Sequence, residues 1–166
     1  MKNGRKAFLQ TLTNLAEKDP KIILIIGDVG FSFIEEFKAK FPNQFLNTGA
    51  CEQTMMNIAV GMANEGWKPY VYSMVNFIVF RPYEQVRNNI AWGDANVKLF
   101  GVEGGESYQF LGHSHNIVDI EENYKEDEQL MEHLPNMNVY TPETEEAVIN
   151  SILEEYDRQG PSYMRI

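Results

Sequence analysis

The sequence has 166 residues, of which 43% are hydrophobic and 23% are charged, as is typical of a globular protein of about one domain. Its formal net charge of −10 argues against nucleic acid or an anionic membrane as a partner, because both need clustered basic residues. No run of about 18 apolar residues predicts a membrane span. The single cysteine, Cys51, cannot form an internal disulfide, so we expect a reducing, cytoplasmic compartment.

Short apolar runs alternate along the chain with longer segments of helical period. The predicted strands are Ile22–Ile26, Phe45–Thr48, Pro69–Met74, Val97–Val102, Asn138–Tyr140 and Tyr163–Ile166. The predicted helices, with apolar residues three and four positions apart, are Lys6–Ala16, Phe31–Lys40, Glu52–Asn64, Tyr83–Trp92 and Thr144–Tyr156. This alternation predicts an α/β fold, a doubly wound and mostly parallel sheet with helices on both faces, as one domain over residues 1–166.

Several chemically suggestive segments follow the predicted strands. They are Gly27–Asp28, Gly49–Gln53, Ser73–Phe80 and Gly101–His115. Because ligands of open parallel sheets bind at the carboxyl ends of the strands, we expect these segments to meet at one edge. The acidic segment Glu121–Glu132 is typical of a loop or a short helix between two strands.

A larger pattern surrounds Glu52. The stretch Asn47–Gln53, followed by Ala59–Ala63 and Gly66–Pro69, resembles the central, pyrimidine-binding domain of transketolase-type thiamine diphosphate enzymes. Further matches occur in order, at Gly27–Asp28, Arg81–Arg87, Gly112–Asn116, Leu134–Val139 and Gly160–Arg165. The resemblance covers nearly the whole chain and implies the thiamine diphosphate-binding fold.

The resemblance also implies roles for individual residues. Glu52 would bind N1′ of the cofactor's aminopyrimidine ring and so activate the cofactor, and His115 would face the reactive centre. Ser114 and Arg165 would contact the substrate. Alternatively, Glu52 is an ordinary acidic residue at a helix start, and His115 is a structural histidine.

In the family the segment matching Ser73–Arg81 cradles the pyrimidine ring, usually with an aromatic side chain. The aromatic positions fall here on Val75 and Ile78, while the aromatic residues are displaced to Phe77 and Phe80. The ring contact therefore comes from Ile78 or from a shifted phenylalanine, unless both phenylalanines are plain core. Asp28 and Arg81 complete the cofactor-binding residues that the resemblance implies.

The family's motif for the diphosphate and Mg²⁺, Gly-Asp-Gly followed by a spaced Asn, has no counterpart in this sequence. Gly27-Asp28-Val29 and Gly93-Asp94-Ala95 both lack the third glycine. We therefore expect no metal ligand here. A partner chain or domain would hold the diphosphate and Mg²⁺, in a heterotetramer or larger assembly.

The resemblance implies an enzyme that transfers a two-carbon ketol or acyl unit from a ketose or a 2-oxo acid. Leu111 replaces an aspartate of sugar-phosphate transketolases, and a family histidine falls near Glu103 or Gly104. These departures leave open a subunit of a 2-oxo acid decarboxylase or dehydrogenase. A third alternative is a non-catalytic scaffold domain.

Overall fold

The computed structural model describes residues 4–117, 119–121 and 124–166. In this part of the chain six strands form one parallel sheet: β1 Ile22–Ile26, β2 Phe45–Asn47, β3 Lys68–Met74, β4 Lys98–Val102, β7 Asn138–Tyr140 and β8 Ser162–Arg165. Their order across the sheet is β2-β1-β3-β4-β8-β7. A separate antiparallel pair, β5 Asp119–Glu121 and β6 Tyr124–Lys125, lies within the acidic segment.

Helices connect the strands. The α-helices are α1 Gly4–Ala16, α2 Glu35–Lys40, α3 Glu52–Asn64, α4 Tyr83–Gln85, α5 Glu126–Glu132 and α6 Glu145–Asp157. The described residues also include 3-10 helices over Pro42–Gln44 and Glu106–Ser114, and π-helices over Asn76–Phe80 and Val86–Ala91. None of the helices in the described part of the chain is long and apolar enough to cross a bilayer.

The sheet is buried on both faces, which confirms the doubly wound arrangement. Side chains from β1 alternate between two cores: Ile22, Leu24 and Ile26 pack with α1, α2 and α6, whereas Ile23 and Ile25 pack with α3 and the second π-helix. All five have no more than 4% of their surface exposed. An all-apolar strand is therefore required at this position, because neither face meets solvent.

The ends of the helices follow local chemistry. The Thr144 hydroxyl caps α6 by accepting from the Ala147 N–H at 3.1 Å, and two glutamates occupy the positive first turn. The predicted helix Phe31–Lys40 starts later than expected, at Glu35, because the chain turns first. Ser32 has φ 73° and donates its N–H to the Glu35 carboxylate at 2.9 Å.

Two regions differ from simple periodicity. The segment after β3 winds into a π-helix over Asn76–Phe80, and the predicted helix Tyr83–Trp92 is one α-helical turn followed by a π-helix over Val86–Ala91. Bonds from residue i to i+5 shift the side chains around the axis, and such segments occur often at functional sites. The first π-helix follows β3 directly and therefore lies at the carboxyl edge of the sheet.

Candidate active site

Glu52 is the first residue of α3, at the carboxyl edge of the sheet. Its side chain is buried, with 9% of the residue exposed. The Arg81 guanidinium donates from Nη1 to Oε1 of Glu52 at 2.8 Å. Among the described residues, no other side chain bonds to this carboxylate, so one of its oxygens remains available to a ligand.

Arg81 follows directly after the first π-helix and is half exposed. Its Cζ lies 3.9 Å from the centroid of the Phe77 ring, which is a close cation–π contact. A planar, N–H-bearing group thus lies against an aromatic face while it donates a hydrogen bond to Glu52. Arg81 therefore connects Glu52 to Phe77.

His115 completes a continuous set of side chains that we call the edge cluster: Glu52, Phe77, Arg81 and His115. The rings of His115 and Phe77 meet edge to face with centroids 5.1 Å apart. A second ring, that of Tyr108, lies nearly parallel to the His115 ring, with centroids 5.9 Å apart. The predicted acid and the predicted histidine therefore lie at one site, connected through Phe77 and Arg81.

Asn76 fixes the histidine loop and was missed by sequence reasoning. Its amide donates to the carbonyl of His113 at 2.8 Å and to that of Asn116 at 3.4 Å. Its Oδ1 is buried and has no hydrogen-bond partner among the described residues. The available sequence signal was a polar residue two positions beyond the predicted buried strand Pro69–Met74.

An open pocket of about 430 Å³ lies beside the edge cluster. It is lined by Asn76, Phe80, Arg81, His113, Ser114, Asn116 and Glu126. Ser114 contributes an exposed hydroxyl that donates to the Leu111 carbonyl at 2.8 Å and lies 2.7 Å from Nδ1 of His115. The pocket therefore brings together one predicted cofactor contact, Arg81, and one predicted substrate contact, Ser114.

The predicted pyrimidine contacts differ in exposure. Val75 and Ile78 have 0% exposed surface and pack into the core beneath α3. Phe77 is 7% exposed, and Phe80 is half-buried and lines the pocket. Val75 and Ile78 thus lie behind the site, and the phenylalanines lie nearer its surface.

Asp28 lies at the end of β1 in a strained conformation, with φ 55°. The Asn47 side chain holds it: its Oδ1 accepts from the Asp28 N–H at 3.0 Å and its amide donates to the Asp28 carboxylate at 3.2 Å. Asp28 lines a second pocket, of about 260 Å³, together with Tyr108. Tyr108 also lies parallel to His115 and is thus the link between this pocket and the edge cluster.

Arg165 is placed among carboxylates rather than in the pocket beside the edge cluster. Its guanidinium lies 3.1 Å from Asp127 and 3.5 Å from Glu128, and it also pairs with Glu103. Burial lowers the pKa of Arg165. Its role as a substrate contact stays a prediction, and the three carboxylates disfavour binding of a phosphate at this position.

Known proteins resemble this chain over nearly its whole length. The sequence model of the transketolase pyrimidine-binding domain matches residues 1–166. The chain is 31% identical over 163 residues to a subunit of the apulose-4-phosphate transketolase of Phocaeicola vulgatus, covering 98% of this chain and 50% of that protein. It is 26% identical over 163 residues to the 6-deoxy-6-sulfo-D-fructose transketolase subunit SqwH of a Clostridium species, covering 98% and 48%.

Solved structures give the same result. A structure described as a split gene transketolase, inactive beta4 tetramer, superposes with a TM-score of 0.82 at 29% identity. The match covers 98% of this chain and 50% of that one. The chain thus spans about half the length of these relatives.

Proposed function

Because this chain belongs to the family of transketolase pyrimidine-binding domains, we propose that it is the pyrimidine-binding part of a split, thiamine diphosphate-dependent transketolase-type transferase. The reaction would move a two-carbon ketol or acyl unit. When bound, the cofactor would supply a carbanion nucleophile that also serves as an electron sink. The buried Glu52 carboxylate, held by Arg81 beside an aromatic ring, is the observation that carries this proposal.

Glu52 would bind the ring nitrogen N1′ and share a proton with it. Its position at the positive end of α3 and its bond to Arg81 hold the carboxylate in place. Since Arg81 uses Oε1, the second oxygen is the one offered to the ring. The burial of Glu52 excludes water that would compete for the same bond.

The aromatic residues would supply the flat contact for the ring. Phe80 borders the pocket and Phe77 lies next to it in the edge cluster, where Arg81 covers one face of its ring, so we assign the contact to Phe80 first and to Phe77 second. Val75 and Ile78 would support them from the core, since neither has exposed surface. Asp28 would lie at the border with the chain that holds the diphosphate.

His115 would act on the substrate side of the site, where an imidazole can accept or donate a proton near neutral pH. The substrate would be a ketose or a 2-oxo acid. The names of two relatives refer to sugars, which favours a ketose. Leu111 is partly exposed in the same loop and offers no polar contact to a substrate hydroxyl. This observation favours the second candidate, a subunit of a 2-oxo acid decarboxylase or dehydrogenase.

We propose that a partner chain or domain holds the cofactor diphosphate and Mg²⁺. Within the described residues, no group of three or more His, Cys, Asp or Glu side chains is arranged to hold a metal ion. The assembly would be a heterotetramer or larger, and it would be cytoplasmic, where the free Cys51 thiol stays reduced. Co-purification from the native host, followed by mass spectrometry, would identify the partner by its Gly-Asp-Gly…Asn motif.

The decisive variant is Glu52→Gln, assayed with that partner. Glutamine can still accept from Arg81 but cannot exchange a proton with the ring, so turnover should fall about 10²-fold or more while the fold persists. Glu65→Gln, on the exposed C-terminal end of α3, is the matched control and should change nothing. Near-normal turnover of Glu52→Gln would remove Glu52 from the mechanism.

A further inference from the structure

The hydrogen bonds of Ser114 determine which nitrogen of His115 carries a proton. The Ser114 hydroxyl lies 2.8 Å from the Leu111 carbonyl oxygen and 2.7 Å from Nδ1 of His115. A hydroxyl has one proton to donate, whereas a carbonyl oxygen can only accept. Serine therefore donates to Leu111. The short contact to Nδ1 is a hydrogen bond only if Nδ1 carries the proton and donates it to the serine oxygen.

The opposite arrangement is unfavourable. If serine donated to Nδ1, its oxygen and the Leu111 carbonyl oxygen would face each other at 2.8 Å with no proton between them. We propose that Ser114 is a positioning residue, which holds neutral His115 in the Nδ1–H tautomer and leaves Nε2 as its proton acceptor.

The plane of the ring is also fixed, because Phe77 contacts it edge to face and Tyr108 lies parallel to it. A half-turn about the Cβ–Cγ bond would keep both aromatic contacts but would move Nδ1 away from Ser114. Among the described residues, none bonds to Nε2, which is thus the nitrogen left for chemistry. The serine oxygen can accept from Nδ1 whether or not Nε2 is protonated, so the bond persists while His115 gains and loses a proton.

The use of Nε2 in the reaction rests on the proposed function, whereas the assignment of the tautomer rests on the hydrogen bonds alone. Ser114 would then act through His115 rather than by contact with the substrate. The loop brings serine and histidine together as neighbours, with the hydroxyl oriented by the Leu111 carbonyl three residues earlier.

The test is the tautomer, read from long-range ¹H–¹⁵N correlation spectra of the ¹⁵N-histidine-labelled chain at a pH where its histidines are neutral. His115 should show a protonated Nδ1 and an unprotonated Nε2. In Ser114→Ala the ratio of the two tautomers should shift about fivefold toward Nε2–H, the effect of losing one hydrogen bond of ordinary strength. Ser114→Thr keeps a hydroxyl and should retain the original ratio.

His133 is an internal reference, because its Nδ1 lies 3.1 Å from the Gln129 carbonyl and must also donate. Its tautomer should be Nδ1–H in every variant. An Nε2–H signal for His115 in the unsubstituted chain would overturn the inference, even if the alanine variant fails to fold. An unchanged ratio in a folded Ser114→Ala would overturn it too. If the unsubstituted chain with its partner shows the Nδ1–H tautomer but no two-carbon transfer, the result counts against the proposed function alone.

Discussion

Asn76 offers a sharp test of how the histidine loop is held. Its side chain is 7% exposed and donates to the carbonyls of His113 and Asn116. In Asn76→Ala the bond of 2.8 Å is lost and the longer bond of 3.4 Å contributes little. With one good hydrogen bond at about 1 kcal/mol and a small cavity, the loop should lose about 1–2 kcal/mol of docking free energy.

Asn76→Asp keeps the shape of the side chain but replaces its N–H donor with an oxygen that can only accept. A carboxylate oxygen would lie where the amide nitrogen now donates, close to a carbonyl oxygen and nine-tenths buried. We expect a cost of about 3 kcal/mol near neutral pH, larger than that of alanine. The cost should shrink in acid, since a protonated carboxyl group can donate to the His113 carbonyl.

Hydrogen exchange measured by mass spectrometry over residues 105–117 reads this docking directly. A loss of 1–2 kcal/mol corresponds to about 5–30-fold faster exchange for amides such as His115, whose N–H bonds to the Gly112 carbonyl. Asn89→Ala is the matched control, because Asn89 bonds another exposed side chain, Asn57, at 2.8 Å. If the loop exchanges at the same rate in Asn76→Ala, Asn76 does not hold it. If Asn76→Asp is as stable as Asn76→Ala, the expected cost of the buried carboxylate is wrong.

Further predictions concern the buried ion pair at the start of β4 and the packing at its end. Lys98→Met should lower the free energy of unfolding by about 3 kcal/mol in urea titrations, since Glu155 and two backbone carbonyls lose their donor inside the protein while Arg158 still pairs with Glu155. Stability should also fall as the pH drops from about 4.5 toward 2. Burial alone would raise the pKa of Glu155, but hydrogen bonds from Arg158 and Lys98 lower it to about 2, below its value in the unfolded chain. The stabilisation by Glu155 is therefore complete above pH 4.5 and is lost as the pH falls through this range. Gly101→Ala should cost about 1–3 kcal/mol, because a Cβ there would lie 3.0 Å from the Tyr163 hydroxyl and 2.9 Å from a buried methyl group.

Each of these has a matched comparison. Lys125→Met removes a lysine from a more exposed pair, with side chains 39% and 16% exposed, and should cost less than about 1 kcal/mol. Gly61→Ala places a methyl group in open space on helix α3 and should stabilise the chain by about 0.5–1 kcal/mol. The ion-pair argument fails if Lys98→Met lowers the free energy of unfolding no more than Lys125→Met does. The pH argument fails if the stability of the unsubstituted chain does not change between pH 4.5 and 2. The packing argument fails if Gly101→Ala is as stable as Gly61→Ala.

Much of the fold could be predicted because the periodicity of the sequence is strong. The all-apolar run Ile22–Ile26 is a central strand, and α3 begins at Glu52 as expected. The π-helix Asn76–Phe80 could not be predicted, since its apolar residues fit a strand or a helix equally well until both are packed. Its path also explains why Val75 and Ile78 are buried behind the site.

The sequence by itself determined the order of the elements, the two-faced burial of the sheet and the edge at which its polar residues collect. Only the tertiary structure decided the partners: Arg81 for Glu52, 29 residues away, and three carboxylates for Arg165. The physical reason is one of range. Burial patterns follow from periods of two and 3.6 residues along the chain, whereas a hydrogen bond depends on positions within a few tenths of an ångström, which distant segments establish only when they pack together.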